Sequence, residues 1–217
     1  MTFRELKDAT LRALAENVTA PIAWTDDQVG RGLNEALSMF ALMAGRPQGD
    51  ASLTLIPGVT MVLVPTTLLH VLEIRLAGRL LTKGDVKALE AKRPGWLGDP
   101  PGTPREWFPI GRFRFGLYPR PSSALALTLR GILQPVDMAA DADVPPLTVE
   151  DQEALVRYAT YYGLLSGGEV DLDRALIIYG VPDQNGVTPR GSFMYYVAKT
   201  GQDQSRVQAV LPVEVGR

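Results

Sequence analysis

Apolar positions recur along this chain with two different periods, and the period changes twice. At the start, Phe3, Leu6, Leu11 and Leu14 fall at roughly helical spacing. Thr2 and Glu5 form a capping-box pair, in which each side chain satisfies a free backbone N–H. A helix is therefore expected from residue 3, ending at Asn17 and the Pro21 region. A second is expected from near Trp24. Thr25 and Gln28 repeat the capping-box spacing, and Asp26 and Asp27 sit where the helix dipole favours anions. Val29, Leu33, Ala36, Leu37, Phe40 and Ala44 then make one apolar stripe, which Gly45 and Pro47 stop.

The period next falls to two, the signature of half-buried strands. Leu53 to Ile56, Met61 to Val64, Leu72 to Leu76, Phe113 to Leu117 and Ala124 to Arg130 read as strands. In the last, Leu125, Leu127 and Leu129 face one way, and Ala126, Thr128 and Arg130 the other. Phe113, Phe115 and Leu117 alternate in the same manner with Arg112, Arg114 and Gly116. Leu72, Ile74 and Leu76 do so with Glu73 and Arg75. Ala77-Gly78 reads as a hairpin turn. Lys83 to Lys92 reads as a short helix, and Gly95 to Pro109 as a Pro/Gly-rich loop carrying Trp96 and Trp107.

Helical spacing returns at Thr148, where Thr148 and Asp151 give a third capping pattern after Pro145-Pro146. Ala154, Tyr158, Tyr161 and Leu165 share a face, with Leu155, Ala159 and Tyr162 beside it. Ser166-Gly167-Gly168 ends this helix, and Leu172 to Tyr179 reads as another. Val181 to Gly191 reads as a loop, with Pro182, Asn185-Gly186 and Pro189. Ser192 to Lys199 suits a short helix or strand, and Gly201 to Arg217 an extended tail. The fold class expected is α+β. A helical bundle forms from residues 1–48 and 145–200, with an antiparallel β domain, 49–144, inserted, and a C-terminal tail, 201–217.

Composition narrows the chemistry. The chain has 217 residues, no cysteine, one histidine and a formal charge of −2. Disulfides, thiolate nucleophiles and zinc–cysteine sites are excluded, and so are histidine-rich metal sites. The net charge gives no global attraction to nucleic acid. No apolar run approaches a membrane span. The mixed charges of Arg4, Glu5, Lys7 and Asp8, with no apolar h-region, speak against a signal peptide. No nucleotide-binding loop is present; Gly78-Arg79 and Gly167-Gly168 lack the lysine and spacing. The expectation is a soluble, intracellularly made structural protein, not an enzyme.

The series of motifs resembles bacteriophage head-to-tail adaptors, the neck-ring proteins that dock beneath the portal. The resemblance covers about residues 5–180 and lies in the order and spacing of the pieces. These are Ile22-Ala23-Trp24-Thr25-Asp26-Asp27, Leu33-Asn34-Glu35-Ala36, and Trp107, Gly111 and Phe115 leading to Leu117-Tyr118-Pro119-Arg120-Pro121. Leu125 to Leu129 with Gln134-Pro135 follow, then Val144-Pro145-Pro146-Leu147 and Ala154-Leu155-Val156-Arg157-Tyr158-Ala159. Gly168-Glu169-Val170-Asp171-Leu172-Asp173-Arg174-Ala175 close the series. After Tyr179 the chain departs from the pattern: the family usually continues with a longer helix, and here stand Pro182 and Asn185-Gly186. The resemblance implies a homo-oligomeric ring, commonly a dodecamer, between the portal protein and the tail or nozzle proteins. Helices would form its body, the β region would face outward or toward the tail, and the C-terminal segment would reach the portal. Double-stranded DNA would pass through without sequence readout. The protein would sit in the virion neck after synthesis in the host cytoplasm, with no membrane, cofactor or metal. Other readings are a ligand- or carbohydrate-binding β module on a helical stalk, and a carboxylate-based hydrolase.

Several residues that could carry chemistry also suit plain structural roles. His70, between Leu69 and Val71, reads as structural rather than catalytic. Glu169, Asp171 and Asp173 alternate as a divalent-cation site would, but lack EF-hand spacing and suit a helix start. Asp141 and Asp143 are a weaker version of the same case. Arg112, Arg114, Arg120 and Arg130, interleaved with Phe113, Phe115 and Tyr118, suit a nucleic-acid surface or, preferably, the solvated face of a sheet with its aromatics in the core. Trp24, Trp107, Tyr158, Tyr161 and Tyr162 suit interface anchors or core. No residue is assigned a catalytic, cofactor or metal role.

Overall fold

The computed structural model describes residues 1–15, 23–166, 172–184 and 186–200. The chain is α+β, as its periodicities predict, and divides into two compact units. One holds Met1–Gly45 with the described residues from Pro135 on; the other is Arg46–Gln134. The helical unit is thus built from two stretches of chain, and the β-rich unit is inserted between them. The stops predicted at Asn17, Pro21 and Gly167-Gly168, the Asn185 turn position and the tail 201–217 lie outside the described residues.

In the helical unit, α1 (Phe3–Ala13) and α2 (Asp26–Ala44) both open with the predicted capping boxes. Thr2 Oγ1 accepts the Glu5 N–H at 3.3 Å, and Glu5 Oε2 accepts the Thr2 N–H at 2.8 Å. Thr25 and Gln28 repeat the exchange at 3.3 and 2.8 Å. Gly45, at φ 69°, closes α2 in the left-handed conformation that glycine adopts without a Cβ clash. A later helix, α4 (Val149–Ser166), starts where Thr148 Oγ1 accepts the Asp151 N–H at 3.2 Å. It is followed by α5 (Leu172–Tyr179). The stretch 192–199, which suits either a helix or a strand by sequence, is helix, α6, over 193–200. Phe3, Leu6, Leu33, Leu37, Phe40, Leu155 and Phe193 fill the core. Each such side chain contributes about 1.5–3 kcal/mol through burial.

The β unit contains β1 (Gln48–Thr54), β2 (Met61–Leu63), β3 (Leu68–Leu76), β4 (Arg79–Leu80), β5 (Thr82–Lys83), α3 (Val86–Lys92), β6 (Glu106–Ile110), β7 (Arg114–Tyr118) and β8 (Ala126–Leu133). A single antiparallel sheet is the sequence expectation. The strands instead form two four-stranded sheets, ordered β1-β8-β3-β4 and β2-β7-β6-β5, with β5 and β6 parallel. The physical reason is the shared core. Ile74, Leu76, Leu127 and Leu129 of the first sheet pack with Trp107, Phe115 and Leu117 of the second, and one open sheet would leave that face wet.

Several boundaries also differ. The second half of the Gly95–Pro109 segment, read as loop, is β6. Trp107 and Phe108 are adjacent and both buried, so they face opposite sides of a sheet covered on both faces and leave no alternating signal. Phe108 packs with Leu89 and Trp96, its ring 5.3 Å from the Trp96 ring. β1 begins at Gln48, earlier than Leu53, because its half-buried positions before Leu53 are Gly49 and Ala51, which give little apolar signal. In β3, register shifts at Leu68/His70 and Val71/Glu73 turn Val71, Ile74 and Leu76 inward and displace Leu72 from that set. The Ala77-Gly78 hairpin is present, with φ of 47° and 82°, joining β3 to β4.

β3 and β8 approach closely at Gly131, where a Cβ would sit 2.2 Å from the His70 carbonyl oxygen. Gly131→Ala is expected to cost about 1–3 kcal/mol in urea unfolding, because backbone cannot yield. Gly98→Ala, which meets open space, should stay within about 0.5 kcal/mol. Equal midpoints for the two variants would contradict this strand pairing.

Candidate functional site

In the helical unit the most concentrated polar arrangement surrounds Lys7. The residue is buried, with 7% exposed, and its Nζ lies over the Phe3 ring, 4.9 Å from the ring centroid. Its Nζ donates to Asp26 Oδ2 at 2.8 Å and Asp141 Oδ1 at 2.7 Å. Arg4 Nη1 reaches the same Asp26 oxygen at 3.2 Å. Burial alone would lower the Lys7 ammonium, but its hydrogen bonds to Asp141 and Asp26 and their charges leave it above the ordinary lysine value. The Lys7 hydrogen bond holds Asp141 below the usual carboxylate range.

The segment carrying Asp141 is fixed by backbone as well. The Phe3 N–H donates to the Asp143 carbonyl at 2.7 Å, and the Arg4 N–H to the Asp141 carbonyl at 3.1 Å. These are two of the N–H groups that a helix start leaves unsatisfied. Asp143 Oδ2 accepts the Ala139 and Ala140 N–H groups at 2.7 and 2.8 Å, which lowers its pKa. Asn34 exchanges two hydrogen bonds with the Met138 backbone, at 3.0 and 2.9 Å. Asp141 and Asp143 are thus committed to a lysine and to backbone amides. Among the described residues no group of three or more acidic or histidine side chains could hold a metal ion. Glu169 and Asp171 lie outside the described residues, and Asp173 sits in the first turn of α5.

The other candidate residues of the sequence do not converge on one site among the described residues. His70 is exposed on β3, opposite Ile132. Trp107 and Tyr158 are core; burial pushes the Tyr158 hydroxyl up to about 12. Tyr161 packs against Tyr158 and Tyr179. Trp24 and Tyr162 line a cleft of about 140 Å³ with Leu14, Val29 and Ala159. That is below the size of typical small-molecule pockets.

In the β unit, Phe115 is buried as the alternation predicts, but Phe113 is 66% exposed. β7 begins only at Arg114, so Phe113 lies in the preceding turn rather than in the core. Arg112, Arg114 and Arg130 are exposed and Arg120 is half-buried. Met61 and Leu63, read simply as strand residues, are 49% and 66% exposed. Charge divides between the units. Residues 46–134 carry twelve Lys and Arg against six Asp and Glu, a formal net of +6; the rest of the chain carries ten against eighteen, a net of −8.

No helix among the described residues is long and apolar enough to cross a membrane. No curated protein matches the chain. The family model of the SU10 adaptor protein matches residues 1–179. The chain therefore belongs to this family of phage head-to-tail adaptors and is a bacteriophage structural protein.

The Lys7 cluster dictates a pH response. Asp141 and Asp143 have folded pKa values below their unfolded ones, so their contribution is present above the ordinary carboxylate value near 4 and is lost as pH falls through the folded values. Lys7, raised in the fold, contributes below about 10.4 and loses its contribution as pH rises through the folded value. Asp141→Asn should lower the melting temperature at pH 7 and flatten its decline between pH 5 and 2.5. Lys7→Met should cost about 1–3 kcal/mol at pH 7. An unchanged acid limb in Asp141→Asn would contradict the pairing.

Proposed function

We propose that this chain, as a member of the SU10 adaptor protein family, joins the portal of a phage head to its tail as a homo-oligomeric ring. Twelve copies fit the symmetry that such adaptors commonly adopt. The helical unit would form the ring body and the β unit would face outward or toward the tail. The C-terminal segment would reach the portal, and the ring would continue the DNA channel without reading sequence. The protein would reside in the virion neck after synthesis in the host cytoplasm.

The observation that carries this reading is the family match across residues 1–179, which takes in the β unit and both stretches of the helical unit through α5. Two further observations support a role through surfaces rather than chemistry. Among the described residues, the acidic side chains near Lys7 are held in structural bonds, and the single histidine lies exposed on a strand.

Electron microscopy of the purified protein, alone and mixed with portal rings, tests the proposal. The expected result is a ring of about twelve subunits that stacks coaxially on the portal. A stable monomer that ignores portal in the mixture would overturn it.

A further inference from the structure

We infer that the open edge of β2 takes residues 206–215, from the C-terminal segment of a second copy, as an added antiparallel strand. The choice of a second copy rests on the ring proposed above. The inference concerns the free protein, before the portal competes for the same segment.

β2 ends its sheet and pairs only with β7, in the register Met61–Gly116, Val62–Phe115 and Leu63–Arg114. The Leu117 N–H donates to the Thr60 carbonyl, and the Val64 N–H to the Phe113 carbonyl, each at 2.9 Å. By the alternation of an antiparallel ladder, Thr60, Val62 and Val64 turn their backbone toward β7. The N–H and C=O groups of Met61 and Leu63 therefore point to the open edge. Their side chains share one face of the sheet with Phe108 and Ile110, which stand opposite the same two β7 residues, Gly116 and Arg114. The Phe108 ring lies over Gly116, where a Cβ would come within 2.1 Å of it, and packs with Leu89 and Trp96. That cover leaves Met61 and Leu63 exposed. Proteins usually blunt such an edge with charge or proline; here its outward residues are Met and Leu.

Length and pattern select the occupant. α6 is tied to the start of α4: the Tyr196 hydroxyl donates to Glu153 Oε2 at 2.9 Å, and the Thr200 hydroxyl to Asp151 Oδ1 at 2.8 Å. Seventeen residues, 201–217, follow. Extended, they span about 60 Å. A compact domain of 100 residues has a radius of gyration of about 13 Å, so the segment is long enough to leave its own copy. Gly201-Gln202-Asp203-Gln204-Ser205 is polar and suits a linker. Val207, Ala209, Leu211, Val213 and Val215 then alternate with Gln208, Val210, Pro212 and Glu214, the period of a strand.

Proline sets the phase. Pro212 has no N–H, so in an added strand it belongs to the set whose backbone faces solvent. The odd-numbered residues then bond to β2. Bonded residues of an antiparallel ladder stand directly opposite each other and share a face. The odd-numbered side chains thus fall beside Met61 and Leu63 and prolong the apolar face that Phe108 begins. The other phase would lose a donor at Pro212 and set Gln208 and Glu214 on that face. The missing donor and the apolar alternation pick the same phase independently. β2 offers only two bonding positions, so the side-chain contacts complete a short pairing. A strand of one copy on the edge of the next joins unlike surfaces, the heterologous contact that closes rings.

The chain has no cysteine, so engineered cysteines report the pairing without background. Full-length Leu63→Cys is mixed with full-length single variants of the segment and oxidised mildly, and the disulfides are mapped by mass spectrometry. Ala209→Cys, Leu211→Cys and Val213→Cys should together join position 63 about tenfold more than Gln208→Cys, Val210→Cys and Glu214→Cys, whose Cβ vectors point away. Leu211→Pro removes an N–H that faces β2, and should weaken self-association in sedimentation about tenfold or more. Val210→Pro should leave it unchanged, and both should keep the melting temperature. Equal cross-linking of the two sets, disulfides joining position 63 only to position 63, or undiminished association of Leu211→Pro would each overturn the inference. So would a chain carrying both Leu63→Cys and Leu211→Cys that closes only on itself. Rings in the microscope without these cross-links would leave the ring reading standing and overturn this one. Absence of any oligomer, with or without portal, would overturn both.

Discussion

The helical unit depends on one buried lysine. Its helices come from chain ends separated by the whole β unit, so the returning segment must be held as well as reached. Lys7 does this from α1. Its ammonium lies over the Phe3 ring and is shared between Asp26 at the start of α2 and Asp141 in the returning segment. Coulomb energy between half-exposed partners is modest. Position matters more: the same segment supplies the carbonyls that satisfy the first N–H groups of α1, and Asn34 holds Met138 in the helical core. The cation, the helix start and the core contact fix one another, and removing the cation would leave two carboxylates facing each other.

Local features were legible in the sequence. The capping boxes at Thr2 and Thr25, the Gly45 stop and the Ala77-Gly78 hairpin depend on residues a few positions apart, and they stand where the pattern puts them. What involves distant partners was not. Lys7 and Asp141 lie 134 positions apart. The alternation of Asp141 and Asp143 suits a cation ligand, but nothing local reveals that the cation at Asp141 is a lysine. Two sheets replaced one because strand pairing is set by which faces share a core, and the Trp107-Phe108 strand is buried on both sides.

The exposure of Phe113 was hidden for related reasons. Phe113 continues the alternation of Phe115 and Leu117, and only the strand boundary at Arg114 takes it out of the core. The total charge of −2 conceals two units of opposite sign. A protein that works by joining others need not gather reactive groups. The uneven charge becomes visible only once the chain is divided into its units.

The segment 138–143 is an integral part of the helical unit, held by Lys7, Asn34 and the start of α1. Native-state hydrogen exchange measures this directly. The amides of Phe3, Arg4, Met138, Ala139 and Ala140 should be protected together, to a degree close to that of the α1 interior, and should lose protection together in Lys7→Met. Fast exchange at Met138, Ala139 and Ala140 while α1 and α2 stay protected would contradict the account.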